Sequence, residues 1–123
     1  RQTRLHTFIM DDVEETFALD GLVDVLLSLP CLNTIVLKSH MVTQAYSGQA
    51  MVRLFQSTTV TNLSVKRFLL MDILPPFCTR MANNYVLKEL CLEQVGISDE
   101  SGMALAHSLE YNSTLEKLSI RYN

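Results

Sequence analysis

The sequence is short of the residues that mark several protein classes. Four glycines and three prolines in 123 residues are too few for a fibrous or low-complexity chain. Three cysteines, Cys31, Cys78 and Cys91, are an odd number at wide spacing, which is neither a disulfide framework nor a zinc pattern. They read as the reduced thiols of a cytoplasmic protein. Ten Lys and Arg against thirteen Asp and Glu leave a net charge of −3, which offers no electrostatic footprint for nucleic acid. The longest apolar stretches, LVDVLLSLP and FLLMDILPPF, are broken by Asp24, Asp72 or proline and fall short of the roughly 20 residues of a membrane span. No glycine-rich phosphate loop, nucleophile elbow or zinc signature occurs, so the motifs point to no enzyme and no cofactor.

What the chain does have is a hydrophobic fraction of 48%, enough at this length for one domain with a real core. It also has a repeat. LHTFIMDDV at 5–13, LNTIVLKSH at 32–40, VTNLSVKRF at 60–68, LKELCLEQV at 87–95 and LEKLSIRYN at 115–123 share one pattern, starting at 5, 32, 60, 87 and 115. The first, fourth and sixth places are Leu5, Phe8, Met10, Leu32, Ile35, Leu37, Val60, Leu63, Val65, Leu87, Leu90, Leu92, Leu115, Leu118 and Ile120, and all are apolar. A random register does this about once in tens of thousands of trials, so the repeat is real.

Side chains alternate along a strand, so the fourth and sixth residues share one face and the first turns inward as the chain enters the strand. The segments between read as helices over Thr16–Leu29, Thr43–Gln56, Pro75–Asn83 and Asp99–Tyr111; in the last, Met103, Leu105, Ala106 and Leu109 recur at helical spacing. Ser98 before Asp99 and Glu100 suits an N-cap. Asn84 and Asn112 sit where left-handed C-caps are expected. The expectation is an α/β solenoid, a parallel sheet with helices outside, of about four and a half repeats of 27–28 residues over 1–123.

The stretch LKELCLEQVGISDESGMALAHSLEYNSTLEKLSIRYN resembles the ribonuclease-inhibitor type of leucine-rich repeat, in its G-I-S-D-x-x-G-x-x-x-L-x-x-x-L helix and its N-x-T-L approach to the next strand. The first three copies share the strand residues and the spacing. The resemblance implies a horseshoe with strands lining a concave side that holds protein partners, as in receptors of the NLR class, the activating protein of the Ran GTPase, tropomodulins and several ciliary proteins. At the ninth place, where the family favours Asn or Cys, stand Val13, His40, Phe68 and Val95, with Asn123 alone conforming. Apolar filling is therefore expected in place of a polar ladder. With no polar caps at either end, the chain reads as an excerpt of a longer array with neighbouring repeats on the same polypeptide.

The outward strand residues are Thr7, Ile9 and Asp11, Thr34, Val36 and Lys38, Asn62, Ser64 and Lys66, Glu89, Cys91 and Glu93, and Lys117, Ser119 and Arg121. The candidate binding face is drawn from them as Thr7, Asp11, Thr34, Lys38, Asn62, Lys66, Glu89, Glu93, Lys117 and Arg121, with Arg67 and Tyr122 on a rim that also includes Asp12, Ser39 and Gln94. Charges of alternating sign suit a folded protein partner. On adjacent strands Lys66, Glu93 and Arg121 can also neutralise one another, each exposed pair contributing about 0–1 kcal/mol. Cys91 lies between Glu89 and Glu93, poor surroundings for a nucleophilic thiol. His6, His40 and His107 fall in a strand, a turn and a helix, with no ligands gathered around them. Asp11, Asp12, Glu14 and Glu15 precede a helix, where acids favour the dipole. The sequons Asn62-Leu-Ser and Asn112-Ser-Thr occur by pattern. The function expected is a non-catalytic interaction module, the sensing or autoinhibitory part of an NLR-like receptor, with a scaffold arc in a cytoskeletal or ciliary assembly as the alternative.

Overall fold

The computed structural model describes residues 4–13, 19–44, 52–54, 59–70, 74–83 and 86–121. Its elements are β1 (Thr7–Val13), α1 (Leu19–Ser28), β2 (Thr34–Gln44), β3 (Asn62–Leu69), α2 (Leu74–Asn83), β4 (Glu89–Glu93), α3 (Asp99–Tyr111) and β5 (Lys117–Arg121). The strands form one parallel sheet in chain order, β1-β2-β3-β4-β5. The chain is a mixed α/β, leucine-rich-repeat-like arrangement.

The repeat is visible in hydrogen bonds as well as side chains. Where the chain enters each strand, two successive amides share one carbonyl of the strand before: Asn33 and Thr34 on His6, Thr61 and Asn62 on Asn33, Lys88 and Glu89 on Thr61, Glu116 and Lys117 on Lys88. This fork locks the register, and from it the alternation of the pleat sends the fourth and sixth residues to the same side. Ile35, Leu37, Leu63, Val65, Leu90 and Leu92 are buried there with Leu32, Val60 and Leu87. Val23 and Leu26 of α1, Cys78 and Met81 of α2, and Leu105 of α3 cover them in one core. Burying each such aliphatic side chain contributes about 1.5–3 kcal/mol.

The end strands differ. Phe8, Met10, Leu115 and Leu118 are only partly buried, and Leu5 and Ile120 are exposed at 42% each, against the expectation that all copies bury alike. Among the described residues β1 and β5 each have a strand neighbour on one side only, so their inward residues are covered by half as many repeats.

Helix α3 starts as expected. Ser98 Oγ accepts from the Ser101 amide at 3.2 Å and Ser101 Oγ accepts from the Ser98 amide at 2.8 Å, a reciprocal cap of about 1 kcal/mol. Its end corrects the left-handed cap expected at Asn112, whose backbone is extended at φ −93°. The Asn112 backbone amide caps the helix by donating to the Leu109 carbonyl at 3.3 Å, while its side chain braces the turn that follows: Oδ1 accepts from the Thr114 and Leu115 amides, and Nδ2 donates to the Met81 carbonyl of the preceding repeat at 2.7 Å. Asn84 lies outside the described residues.

The second helix is also corrected. Thr43 and Gln44, expected to open it, belong to β2; of the rest of the expected helix only 52–54 is among the described residues, and it is a helical turn. α2 begins one residue before its expected start, at Leu74.

Candidate functional site

The face of the sheet opposite the helices is formed by three rows of side chains that the register aligns. One row runs Thr7, Thr34, Asn62, Glu89, Lys117, and the next runs Ile9, Val36, Ser64, Cys91, Ser119. The third runs Lys38, Lys66, Glu93, Arg121, with Asp11 beside Lys38 at the β1 edge, 3.7 Å from its Nζ. A groove of about 380 Å³ lies over β2 to β5, lined by Thr34, Asn62, Lys66, Glu89, Glu93, Lys117 and Arg121 among others. Seven of the twelve candidate residues are therefore brought together. Thr7, Asp11, Lys38 and Arg67 lie outside that lining, and Tyr122 is outside the described residues.

Val36, Ser64, Cys91 and Ser119 also line the groove. They carry no charge, but their position midway along each copy marks them as central once the register is known.

Side-chain bonds orient the first row. Thr61 Oγ1 donates to Asn62 Oδ1 at 2.7 Å, which leaves Asn62 Nδ2 to donate to Glu89 Oε2 on the next strand. Asn62, the first sequon residue, is thus engaged in the sheet, as Asn112 is in its turn.

The expected rim divides into two kinds. Arg67 and Gln94 have positive φ, 63° and 52°, and Arg67 Nε donates to Gln94 Oε1 at 3.2 Å while its Nη1 donates to the His40 carbonyl at 3.3 Å. A left-handed residue breaks the alternation of the strand, so Phe68 and Val95 turn inward and are buried at 4% and 0%. These two supply the apolar filling expected at the ninth place. In β2 the positive φ is absent; alternation continues, Ser39 is fully buried and His40 is exposed. Ser39 is therefore a core residue and not a rim residue.

The remaining titratable groups are dispersed. His6 Nδ1 lies 3.1 Å from the Cys31 carbonyl oxygen and His107 faces Glu110 on α3 at 3.8 Å. Among the described residues no three His, Cys, Asp or Glu side chains are grouped as a metal site would need. Burial pushes the Cys78 thiol upward in pKa, while Cys31 is exposed. No helix among the described residues is long and apolar enough to cross a membrane.

No family model matches the chain, and no curated protein matches it. A solved structure titled leiomodin-1 actin-binding site 2 superposes with a TM-score of 0.78, over 95% of this chain and 70% of that one, at 17% sequence identity. At that identity the likeness speaks for the fold alone.

Proposed function

We propose that this chain is a non-catalytic protein-interaction module that holds a protein partner against the open face of its sheet, in a cytoplasmic, cytoskeletal setting. The observation that carries this reading is the groove over β2 to β5, on a fold similar along nearly its whole length to a segment titled as an actin-binding site. Polar and charged residues at strand spacing, held by the sheet rather than by loops, suit a preorganised protein-binding surface. The finer expectations, repeats of the ribonuclease-inhibitor type curving into a horseshoe with the groove on its concave side, belong to the same proposal. Nothing on this face favours the sensing role of an NLR-like receptor, and the scaffold reading stands ahead of it.

Actin is the first partner to test. The full chain is sedimented with filaments and, separately, run with monomeric actin in size-exclusion chromatography. Co-migration that a double Glu93→Lys, Arg121→Glu variant abolishes, with its circular dichroism unchanged, supports the reading. A wild-type chain that joins neither form removes actin, and a variant that binds as well as wild type removes the groove.

A further inference from the structure

The open face changes character along its length, and its β1–β3 end has a chemistry of its own. Ile9 is 64% exposed and pairs in register with half-buried Val36, so two aliphatic side chains adjoin there. Two places further along β2 and β3 stand Lys38 and Lys66, directly paired in register. Asp11 faces Lys38 at 3.7 Å. Lys66 has no counterpart: Glu93 is its register neighbour, yet among the described residues the Lys66 side chain forms no ion pair or hydrogen bond. Like charges on adjacent strands, about 4.8 Å apart, disfavour each other. Arg67 adds a third cation, held over the same end by the His40 carbonyl. Among the described side chains, Lys38, Lys66 and Arg67 stand here against Asp11, with Glu93 next to Lys66 on β4, so this end carries an excess of cations in a chain of net charge −3.

We propose that the β1–β3 end of this face takes an acidic protein segment, with an aliphatic side chain seated on Ile9 and Val36 and a carboxylate reaching Lys66. This rests on the reading of the open face as a protein-binding surface and adds the chemistry of the occupant. The carboxylate relieves the repulsion between Lys38 and Lys66 and orients the approach. The aliphatic contact selects a peptide over a nucleic acid backbone, which would leave Ile9 and Val36 against phosphate and water.

The probe is a short labelled peptide in which leucines alternate with pairs of glutamates, titrated into the full chain and followed by fluorescence anisotropy. Saturable binding is expected, weakened at least about tenfold by Lys66→Glu and lost at about 1 M salt, where charges are screened beyond about 3 Å. Lys66→Gln falls between wild type and Lys66→Glu, and Ile9→Ser weakens binding severalfold. Lys88→Glu, an equal charge change at an exposed position away from the groove, leaves it unaltered. Each variant is first shown to melt like wild type. Equal binding of a peptide with lysine for glutamate, tighter binding of single-stranded RNA, or wild-type affinity in Lys66→Glu overturns the proposal. A chain that ignores the peptide but still joins actin loses this inference alone; one that binds neither loses the reading of the face as well.

Discussion

β3 and β4 each pass into a left-handed residue and turn their next side chain into the core, whereas β2, written in the same nine-residue pattern, runs straight on to Gln44. The first six places behave alike in all three strands: Ile35 and Leu37, Leu63 and Val65, Leu90 and Leu92 are buried, with half-buried residues between. The eighth place decides how each strand ends. Positive φ at Arg67 and Gln94 shifts the alternation by one, burying Phe68 and Val95; an extended Ser39 keeps it and is itself buried. The register records the difference, since four residues lie between Lys38 and Thr43 where one lies between Lys66 and Phe68. The residues beyond explain part of it. Val42 and Thr43 continue β2 with β-branched residues that favour extended backbone, while Gly96, at φ 78°, lets the chain leave β4 at no steric cost. A repeat consensus therefore specifies burial only as far as the backbone keeps one phase.

The largest effects come from the part the strands share. Leu90, 1% exposed, becomes an unpaired buried carboxylate in Leu90→Asp, and the chain is expected to lose cooperative unfolding altogether. A graded version compares Leu92→Ala with Met10→Ala at the equivalent place of β1. Leu92 is fully buried and Met10 only partly. The first is expected to cost about 2–5 kcal/mol and the second less than half as much, read from urea midpoints at unchanged slope. Equal costs break the distinction between covered and half-covered repeats.

The turn itself is tested by exchanging backbone freedom. Gln94→Val places a β-branched residue at φ 52° and is expected to cost about 1–2 kcal/mol. Gln94→Gly relieves that strain while losing a half-buried hydrogen bond, so the two offset and its net effect is expected within about 0.5 kcal/mol. Ser39→Gly, at the same place of β2, removes a buried side chain from an extended strand and is expected to cost about 1 kcal/mol. A stabilising Ser39→Gly means that β2 turns as β3 and β4 do, and the comparison collapses.

The same boundary limits how much of the fold is legible in the sequence. The five strands, their order and the inward residues of β2, β3 and β4 can be read because the face that the fourth and sixth places share depends on pleat geometry alone; their depth depends also on a covering repeat at each side, as Ile120 at 42% exposure shows. The N-cap at Ser98 is legible because it too is a local matter. Ser39 is not, because the dihedral that sends it inward is set by residues after the pattern ends. Thr43 reads as helical only if the helical return paths are equally long in every repeat, and β2 takes residues from that segment. At the candidate site, the alignment of Lys38, Lys66, Glu93 and Arg121 is contained in the repeat. Their pairing is not: Lys38 meets Asp11 at 3.7 Å while Lys66 and Glu93, equally adjacent, stay apart, and such choices depend on rotamers that spacing does not encode.

The smallest expected effect separates stability from recognition at that straight end of the sheet. Asp11 is exposed at 60% on its side chain and Lys38 at 32%, so their pair is screened by solvent, and Asp11→Asn is expected to change the unfolding free energy by less than about 0.5 kcal/mol. The substitution does change the charge that an incoming segment meets. Without Asp11, Lys38 joins Lys66 as a second uncompensated ammonium, and affinity for the leucine–glutamate peptide is expected to rise about twofold to fivefold, the scale of one exposed ion pair. The matching change at the regular end, Glu93→Gln, removes an acid beside Lys66 without touching β1. If it raises affinity as Asp11→Asn does, the acidic segment reads the whole charged row rather than the β1–β3 end. If Asp11→Asn alone does so, the segment is held where β2 runs straight and Ile9 and Val36 lie next to the lysines.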